Sequence, residues 1–268
     1  MIRRRPGRAG SSHRALMFLV LWGFLSLPPD TLRSAQEPVT TGVDLLPQVR
    51  KLKTLGDRVH LEWLYIEERA DGRPDQKDLV RSGRALEFGD GLLYHGRDGL
   101  DEALLAGRAD GQSYLTRVPH VWAVGPFHDR SRSPAIFVIS ALGFNRLRDE
   151  GKAVLEAEID KEDGVMDPYP KIPGGIPLDM VREIWIDQDT AERYEGLLAR
   201  PEEGLTEKER SLRTAVSEWR AEKKLIVIPG LRHTALSAGD FYPAAFEAVG
   251  AYFVGNGFPD RIPLFRPR

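Results

Sequence analysis

The 268-residue chain carries 38 Lys and Arg against 40 Asp and Glu, and it contains no Cys. The lack of thiols excludes disulfides, thiolate metal sites and lipid attachment through an N-terminal Cys. Its basic residues are interspersed with carboxylates instead of forming a basic stripe, which disfavours a surface that follows nucleic-acid phosphates. We therefore expect no nucleic-acid partner.

The first 35 residues have the layout of an export signal. An arginine-rich start precedes a short apolar stretch over 15–27 and a pair of prolines; the stretch is too short to span a bilayer comfortably. Ser34 and Ala35 suit cleavage but Arg33 does not, so an uncleaved membrane anchor stays open. Residues 1–35 hold six Arg and one Asp, so the remainder has 32 basic and 39 acidic residues, a net charge of −7. We expect an exported protein, periplasmic or extracellular.

Three elements are expected before the central part of the chain. Apolar residues recur at helical spacing over 45–55, which predicts a helix. Alternating apolar residues over 59–66 predict a strand. The charged segment 71–84, with its Gly and Pro, predicts a loop.

From Leu86 onward, short apolar segments of strand type alternate with short helical patterns. We expect strands over 92–95, 113–116, 135–140, 154–159 and 183–186, and helices over 98–106 and 119–124. Short elements connected in this way predict an α+β fold with a split, mostly antiparallel sheet and short helices. This domain is expected over 43–187, with its core at about 86–187.

The chain changes character over 188–268, where we expect a helical C-terminal extension packed on the same domain. Thr206 and Glu209 form a capping-box pattern at the start of a helix whose Leu212 and Val216 share one face. A short buried strand is expected over 225–228, a last helix over 242–254 and a Pro-rich tail over 258–268.

Two segments separated by a predicted helix carry the best functional clue. The first is Tyr94-His95-Gly96 and the second is Tyr114-Leu115-Thr116. Because each stands at the end of an apolar strand, the His and the Tyr could face one cleft. An imidazole and an aromatic ring there suit the ribose and the base of a nucleotide.

With the helix 100–105, the strand 134–139 and the turn and strand 172–185, these two segments resemble the ADP-ribosyltransferase family of the His-Tyr-Glu type over about residues 86–187. The resemblance implies that NAD is bound as a substrate, with its ribose held by His95 and its nicotinamide stacked on Tyr114. Gly96 and Thr116 would also contact the nucleotide. The family's activity implies transfer of ADP-ribose or glycohydrolysis, with an unidentified protein or small molecule as acceptor.

The resemblance also implies a catalytic acidic residue, and Glu183 is the best match. Glu156 and Glu158, on the preceding strand, are alternatives. Cleavage of the glycosidic bond builds positive charge on the ribose, and a nearby carboxylate stabilises that charge. Arg97 departs from the family, which has a small hydroxyl residue after the His-Gly pair.

Two other kinds of site are disfavoured. His120 and His128-Asp129 are close in sequence, but no HExxH spacing is present and we predict no metal. His233, followed by Ser237 and Asp240, resembles the catalytic His of an α/β-hydrolase, yet the Gly-x-Ser-x-Gly nucleophile elbow is missing from the sequence.

The alternative from a different functional class is an exported α+β protein without catalysis, which acts in binding or in envelope structure. Export favours this alternative because free NAD is scarce outside the cytoplasm. Such a protein could retain the same fold after losing the activity.

Overall fold

The computed structural model describes residues 78–79, 82–117, 119, 124–128, 133–156, 169–232, 238–256 and 261–268. The predicted export signal, the helix over 45–55 and the strand over 59–66 lie outside the described residues. The same holds for most of the helix expected over 119–124 and for His120, Asp129, Glu158, His233 and Ser237.

A four-stranded sheet forms the centre of the described fold. Its order is β10 (Leu225–Val227), β9 (Val181–Ile186), β5 (Ala135–Ser140) and β2 (Leu92–Arg97). The neighbouring pairs β2–β5 and β5–β9 are antiparallel, whereas β10 runs parallel to β9. The first five residues of β5 are fully buried, as expected for a strand covered on both faces.

A three-stranded antiparallel sheet adjoins β2. It consists of β4 (Ser113–Tyr114), β7 (Tyr169–Ile172) and β6 (Val154–Glu156), in that order. One antiparallel bridge, between Tyr94 and Thr116, connects the two sheets. The Tyr94 amide donates to the Thr116 carbonyl oxygen at 2.8 Å, and the Thr116 amide donates back at 2.9 Å. The expectation of an α+β fold with mostly antiparallel sheets is therefore confirmed.

The described residues contain five α-helices. They are α1 (Leu100–Ala106), α2 (Ala141–Asp149), α3 (Gln188–Ala199), α4 (Glu207–Ala221) and α5 (Ala238–Gly255). The capping box predicted at the start of α4 is confirmed, since Thr206 and Glu209 exchange both hydrogen bonds. The sequence patterns do not predict α2 and α3. The helix α2 begins directly after Ser140, the last residue of β5, and only Asp187 separates β9 from α3.

Helices cover the two faces of the central sheet differently. Leu93, Phe137 and Ile184 belong to one buried cluster with residues of α1, α3 and α4, and we call this side the helical face. On the opposite side Tyr94 contacts Phe253 of α5, with ring centroids 5.8 Å apart, and Trp185 contacts Tyr252 at 5.1 Å. We call this second side the α5 face.

The C-terminal residues join the sheets and do not form a free tail. The strand β11 (Phe265–Pro267) pairs antiparallel with β1 (Leu86–Phe88), and the Phe88 and Phe265 rings stack 4.7 Å apart. The Leu92 amide donates to the Arg261 carbonyl oxygen at 2.7 Å. Burial of Phe265 explains why this Pro-containing segment is ordered against the core. The predicted helical extension thus also supplies the strands β10 and β11.

Two further strands, β3 (Arg108–Ala109) and β8 (Ile176–Pro177), form a small antiparallel pair. Gly175, directly before β8, has a φ of +83° and passes so close to β3 that a Cβ would lie 2.3 Å from the Ala109 carbonyl oxygen. Only glycine suits that close approach. A 3₁₀ turn, Leu178–Met180, follows Pro177 and leads into β9.

We expect Gly91→Ala to destabilise the protein by about 2 kcal/mol or more. Gly91 has a φ of +147°, and a Cβ there would lie 2.4 Å from the Pro263 nitrogen, so Ala would push the C-terminal segment away from β2. Urea unfolding followed by circular dichroism measures the change. Gly204→Ala is the control, since a Cβ at Gly204 meets nothing within 4 Å; equal effects of the two substitutions would contradict the assigned close approach.

Candidate functional site

His95 lies on β2 beside the segment that carries Tyr114. Its Nδ1 donates to the Tyr114 carbonyl oxygen at 2.7 Å. Burial lowers the pKa of His95 to about 4, assisted by the nearby Arg97 charge and opposed by the hydrogen bond to Tyr114. The imidazole is therefore neutral at physiological pH, and its Nδ1 proton serves to hold two neighbouring strands together.

The Tyr114 side chain points away from the core. Its ring is 48% exposed, while Ser113 and Leu115 on either side are buried. The Gln112 Nε2 donates to the Tyr114 hydroxyl at 3.0 Å, and the Lys171 Nζ lies 5.2 Å from the centre of the ring. An exposed ring beside a cation is a surface on which a planar or anionic group can bind.

Gly96 and Thr116 occupy positions in the sheet that bring the two predicted strands together. Gly96 pairs with Ile136 of β5. Thr116 is buried, and its hydroxyl donates to the Tyr94 carbonyl oxygen at 3.4 Å. The structure thus places the two predicted motifs side by side, with contacts made chiefly through the backbone.

Glu183 is engaged by other side chains. Its Oε1 accepts from Arg261 Nη2 at 2.5 Å and its Oε2 accepts from Trp185 Nε1 at 2.6 Å. The Arg261 guanidinium also lies over the Trp185 ring, 5.6 Å from its centre. Glu183 is therefore the acceptor in a partly buried ion pair that ties the C-terminal segment to β9.

The strand register separates His95 from Glu183. His95 pairs with Phe137, which pairs with Ile184, so His95 shares the helical face. In the neighbouring row of the sheet, Tyr94 pairs with Val138, and Val138 pairs with Glu183. Because successive side chains of a strand point to opposite faces, Glu183 projects from the α5 face and cannot share a cleft with the His95 ring.

Of the two alternative acidic residues, only Glu156 lies within the described part of the chain. Glu156 ends β6 and pairs through its backbone with Tyr169 of β7, and Glu158 lies outside the described residues. The β7 residue next to the Tyr114 ring is Lys171. A basic side chain thus lies beside the ring on which the resemblance places the nicotinamide.

Sequence reasoning missed the part played by Arg261 and Lys171. Arg261 lies 78 residues from its partner Glu183, in a segment expected to be a tail, so no spacing rule connects the two. For Lys171, the signal was available in principle: a short Tyr-Pro-Lys-Ile run directly before the Pro-Gly-Gly turn reads as a strand. Recognising that strand would have placed a cation beside Tyr114.

The described residues contain neither a cluster of metal-ligating side chains nor a helix that could cross a membrane. Within those ranges no group of three or more His, Cys, Asp or Glu side chains is arranged to hold a metal ion. No helix in the same part of the chain combines the length and the apolar character needed to cross a bilayer.

We expect the free energy of unfolding to fall by about 2 kcal/mol between pH 7 and pH 5 because of His95. Its pKa of about 4 in the folded protein lies below the value of 6.5 in an unfolded chain. The unfolded state therefore takes up the proton first, and stability is lost as pH falls from about 6.5 through 4. Urea unfolding of the protein and of His95→Gln at several pH values isolates this contribution; a pH-independent difference between them would contradict it.

We expect Arg261→Ala to cost about 2–3 kcal/mol, because it leaves the Glu183 carboxylate partly buried without its cation. Side-chain exposures of 12% for Arg261 and 27% for Glu183 support this range. Adding Glu183→Gln should recover at least about 1 kcal/mol, measured in a double-mutant cycle. Lys152→Ala, in the exposed pair with Glu150, is the control and should change stability by less than about 1 kcal/mol. Additive effects of Arg261→Ala and Glu183→Gln would show that the pair is not coupled.

Comparison of the chain with known proteins provides no relative from which a function could be transferred. No protein-family model, curated protein or solved structure matches it. The similarity of residues 86–187 to ADP-ribosyltransferases therefore stays a prediction from motifs.

Proposed function

We propose that this chain is an exported binding protein with an ADP-ribosyltransferase-like fold that does not cleave NAD. The observation that carries the proposal is the position of Glu183 on the face opposite His95, neutralised by Arg261. In this respect the geometry favours the non-catalytic alternative over the transferase.

The neighbourhood of the two predicted motifs supports the fold part of the proposal. The His95 strand and the Tyr114 segment are neighbours, joined by the Tyr94–Thr116 bridge and by the hydrogen bond from His95 to the Tyr114 carbonyl oxygen. The resemblance requires these two strands to be adjacent. Their side-by-side packing in a split, mostly antiparallel sheet agrees with that requirement.

Electrostatics near Tyr114 oppose the cleavage chemistry. Departure of nicotinamide leaves positive charge on the ribose, which catalysis must stabilise with a negative group. Lys171 lies over the Tyr114 ring and the charge of Arg97 acts on His95. Two cations at this place would raise the energy of a cationic transition state, whereas they would attract an anionic or planar ligand.

The neutral, hydrogen-bonded form of His95 also supports a non-catalytic role. Its Nδ1 proton is committed to a backbone carbonyl and its pKa is about 4. The ring is therefore a neutral link between the two sheets. Such a link fits a structural role at the base of a binding surface without requiring turnover.

We expect the purified full chain to release no nicotinamide from NAD above the protein-free rate. Nicotinamide is quantified by liquid chromatography, and labelled NAD tests for transfer to the chain itself or to an added protein mixture. Equal rates for the protein and for His95→Gln, Tyr114→Ala, Glu156→Gln and Glu183→Gln support the proposal. A release rate that falls in any of these variants while circular dichroism stays unchanged would overturn it and would identify the residue responsible.

A further inference from the structure

We propose that the groove between α3 and α4 is a binding site for a small carboxylate with an apolar body. The groove has a volume of about 450 Å³, and the Asp101 side chain of α1 contributes to its wall. Sites for small ligands have volumes of about 300–1,000 Å³. None of the residues His95, Tyr114 and Glu183 lines the groove, so the proposal is independent of the absence of NAD cleavage.

Gly196 is the first observation that points to a ligand. It lies inside α3, where Gly lowers helix stability relative to Ala, and it lines the groove. Neither packing nor backbone conformation requires it, since a Cβ would meet nothing within 4 Å and the residue has helical geometry. The missing side chain keeps the groove open and lets another molecule approach the helix backbone closely.

The floor of the groove is apolar and its rim is charged. Leu197 of α3 and Leu212 of α4 line the groove with Gly196, and both are buried. Arg193 of α3 and Arg200, the residue that follows α3, lie on either side of Gly196 in the sequence, about 10 Å apart along the helix direction. This arrangement suits a molecule whose apolar part lies on the floor and whose charged end reaches the rim.

The two carboxylates that line the groove are already engaged by donors of the protein. Asp101 accepts two hydrogen bonds from Arg193 and one from Tyr194, at 2.7–2.8 Å. Glu209 accepts from the amide and hydroxyl of Thr206 at 2.8 Å and from Arg200 at 2.5 Å. Both carboxylates of the groove are therefore matched by donors within the protein.

Lys208 is the cation of the rim with the weakest commitment to a partner. Its Nζ lies 3.7 Å from the Glu102 carboxylate, and both side chains are about two-thirds exposed. An exposed pair of this kind contributes little and is readily exchanged. With three cations and two matched carboxylates around the groove, a carboxylate ligand can pair with Lys208, whereas an ammonium ligand finds no unmatched acceptor among the lining residues.

The test is titration calorimetry of the full chain with hexanoate, hexylammonium and hexanol at constant ionic strength. We expect hexanoate to bind at one site per chain with a Kd of about 1–20 mM, as its few heavy atoms allow. Hexylammonium and hexanol should bind at least tenfold more weakly. Absence of saturable hexanoate binding, or equal binding of hexylammonium, would overturn the proposal.

Variants locate the binding. Gly196→Leu fills the groove with a good helix former and should weaken hexanoate binding at least tenfold, and Lys208→Glu should weaken it several-fold. Ala199→Leu adds the same side chain to an exposed position of α3 outside the groove and should leave the Kd unchanged. If Gly196→Leu leaves hexanoate binding intact, the site lies elsewhere and the proposal fails. If Gly196→Leu instead changes the oligomeric state in sedimentation, the groove is an interface between copies and the proposal is wrong.

Discussion

The alternation of side chains across three paired strands determines which residues can share a face of the central sheet. The strand β5 pairs with β2 on one side and β9 on the other, so each row of neighbours has a fixed face. The row of His95 and Phe137 faces the helices, and the row of Tyr94 and Glu183 faces α5. A shift of one residue in the register would exchange the faces along a whole strand, but burial of Phe137 against the helices and of Tyr94 against α5 prevents that shift.

The C-terminal segment then neutralises the charge on the α5 face, because Arg261 pairs with Glu183 there. Arg261 reaches back to Glu183 and to the Trp185 ring, while Phe265 stacks on Phe88 beside the first described strand. A partly buried carboxylate is tolerable only with a matched cation. The last eight residues therefore complete the core and neutralise Glu183, the acidic residue to which the resemblance assigns the catalytic role. Assembly of this face depends on contacts between residues far apart in sequence.

Local patterns in the sequence predict several of the helices and strands that the structure contains. The apolar runs of β2 and β5, the strand over 183–186 in β9 and the Thr206–Glu209 capping box could be predicted because each depends on neighbours in the chain. The short strands β7 and β11 were not predicted because prolines obscure their patterns, and each is stabilised by a partner far away in sequence.

For the candidate site, the adjacency of the His95 and Tyr114 strands was predictable from the motif. The partner of Glu183 was not, because an ion pair 78 residues apart leaves no periodic signal.

Three carboxylates of the described residues are each engaged by donors within the protein, which supports the proposed binding role. Asp101 is held by Arg193 and Tyr194, whose hydrogen bonds lower its pKa although burial opposes this shift. Glu183 is held by Arg261, and Glu209 caps a helix. A carboxylate that stabilises a cationic transition state must be oriented toward the substrate, so donors that already engage it reduce its effect. Because Arg193 and Arg200 already pair with Asp101 and Glu209, Lys208 is the cation at the rim of the α3–α4 groove that can exchange its partner for a carboxylate ligand.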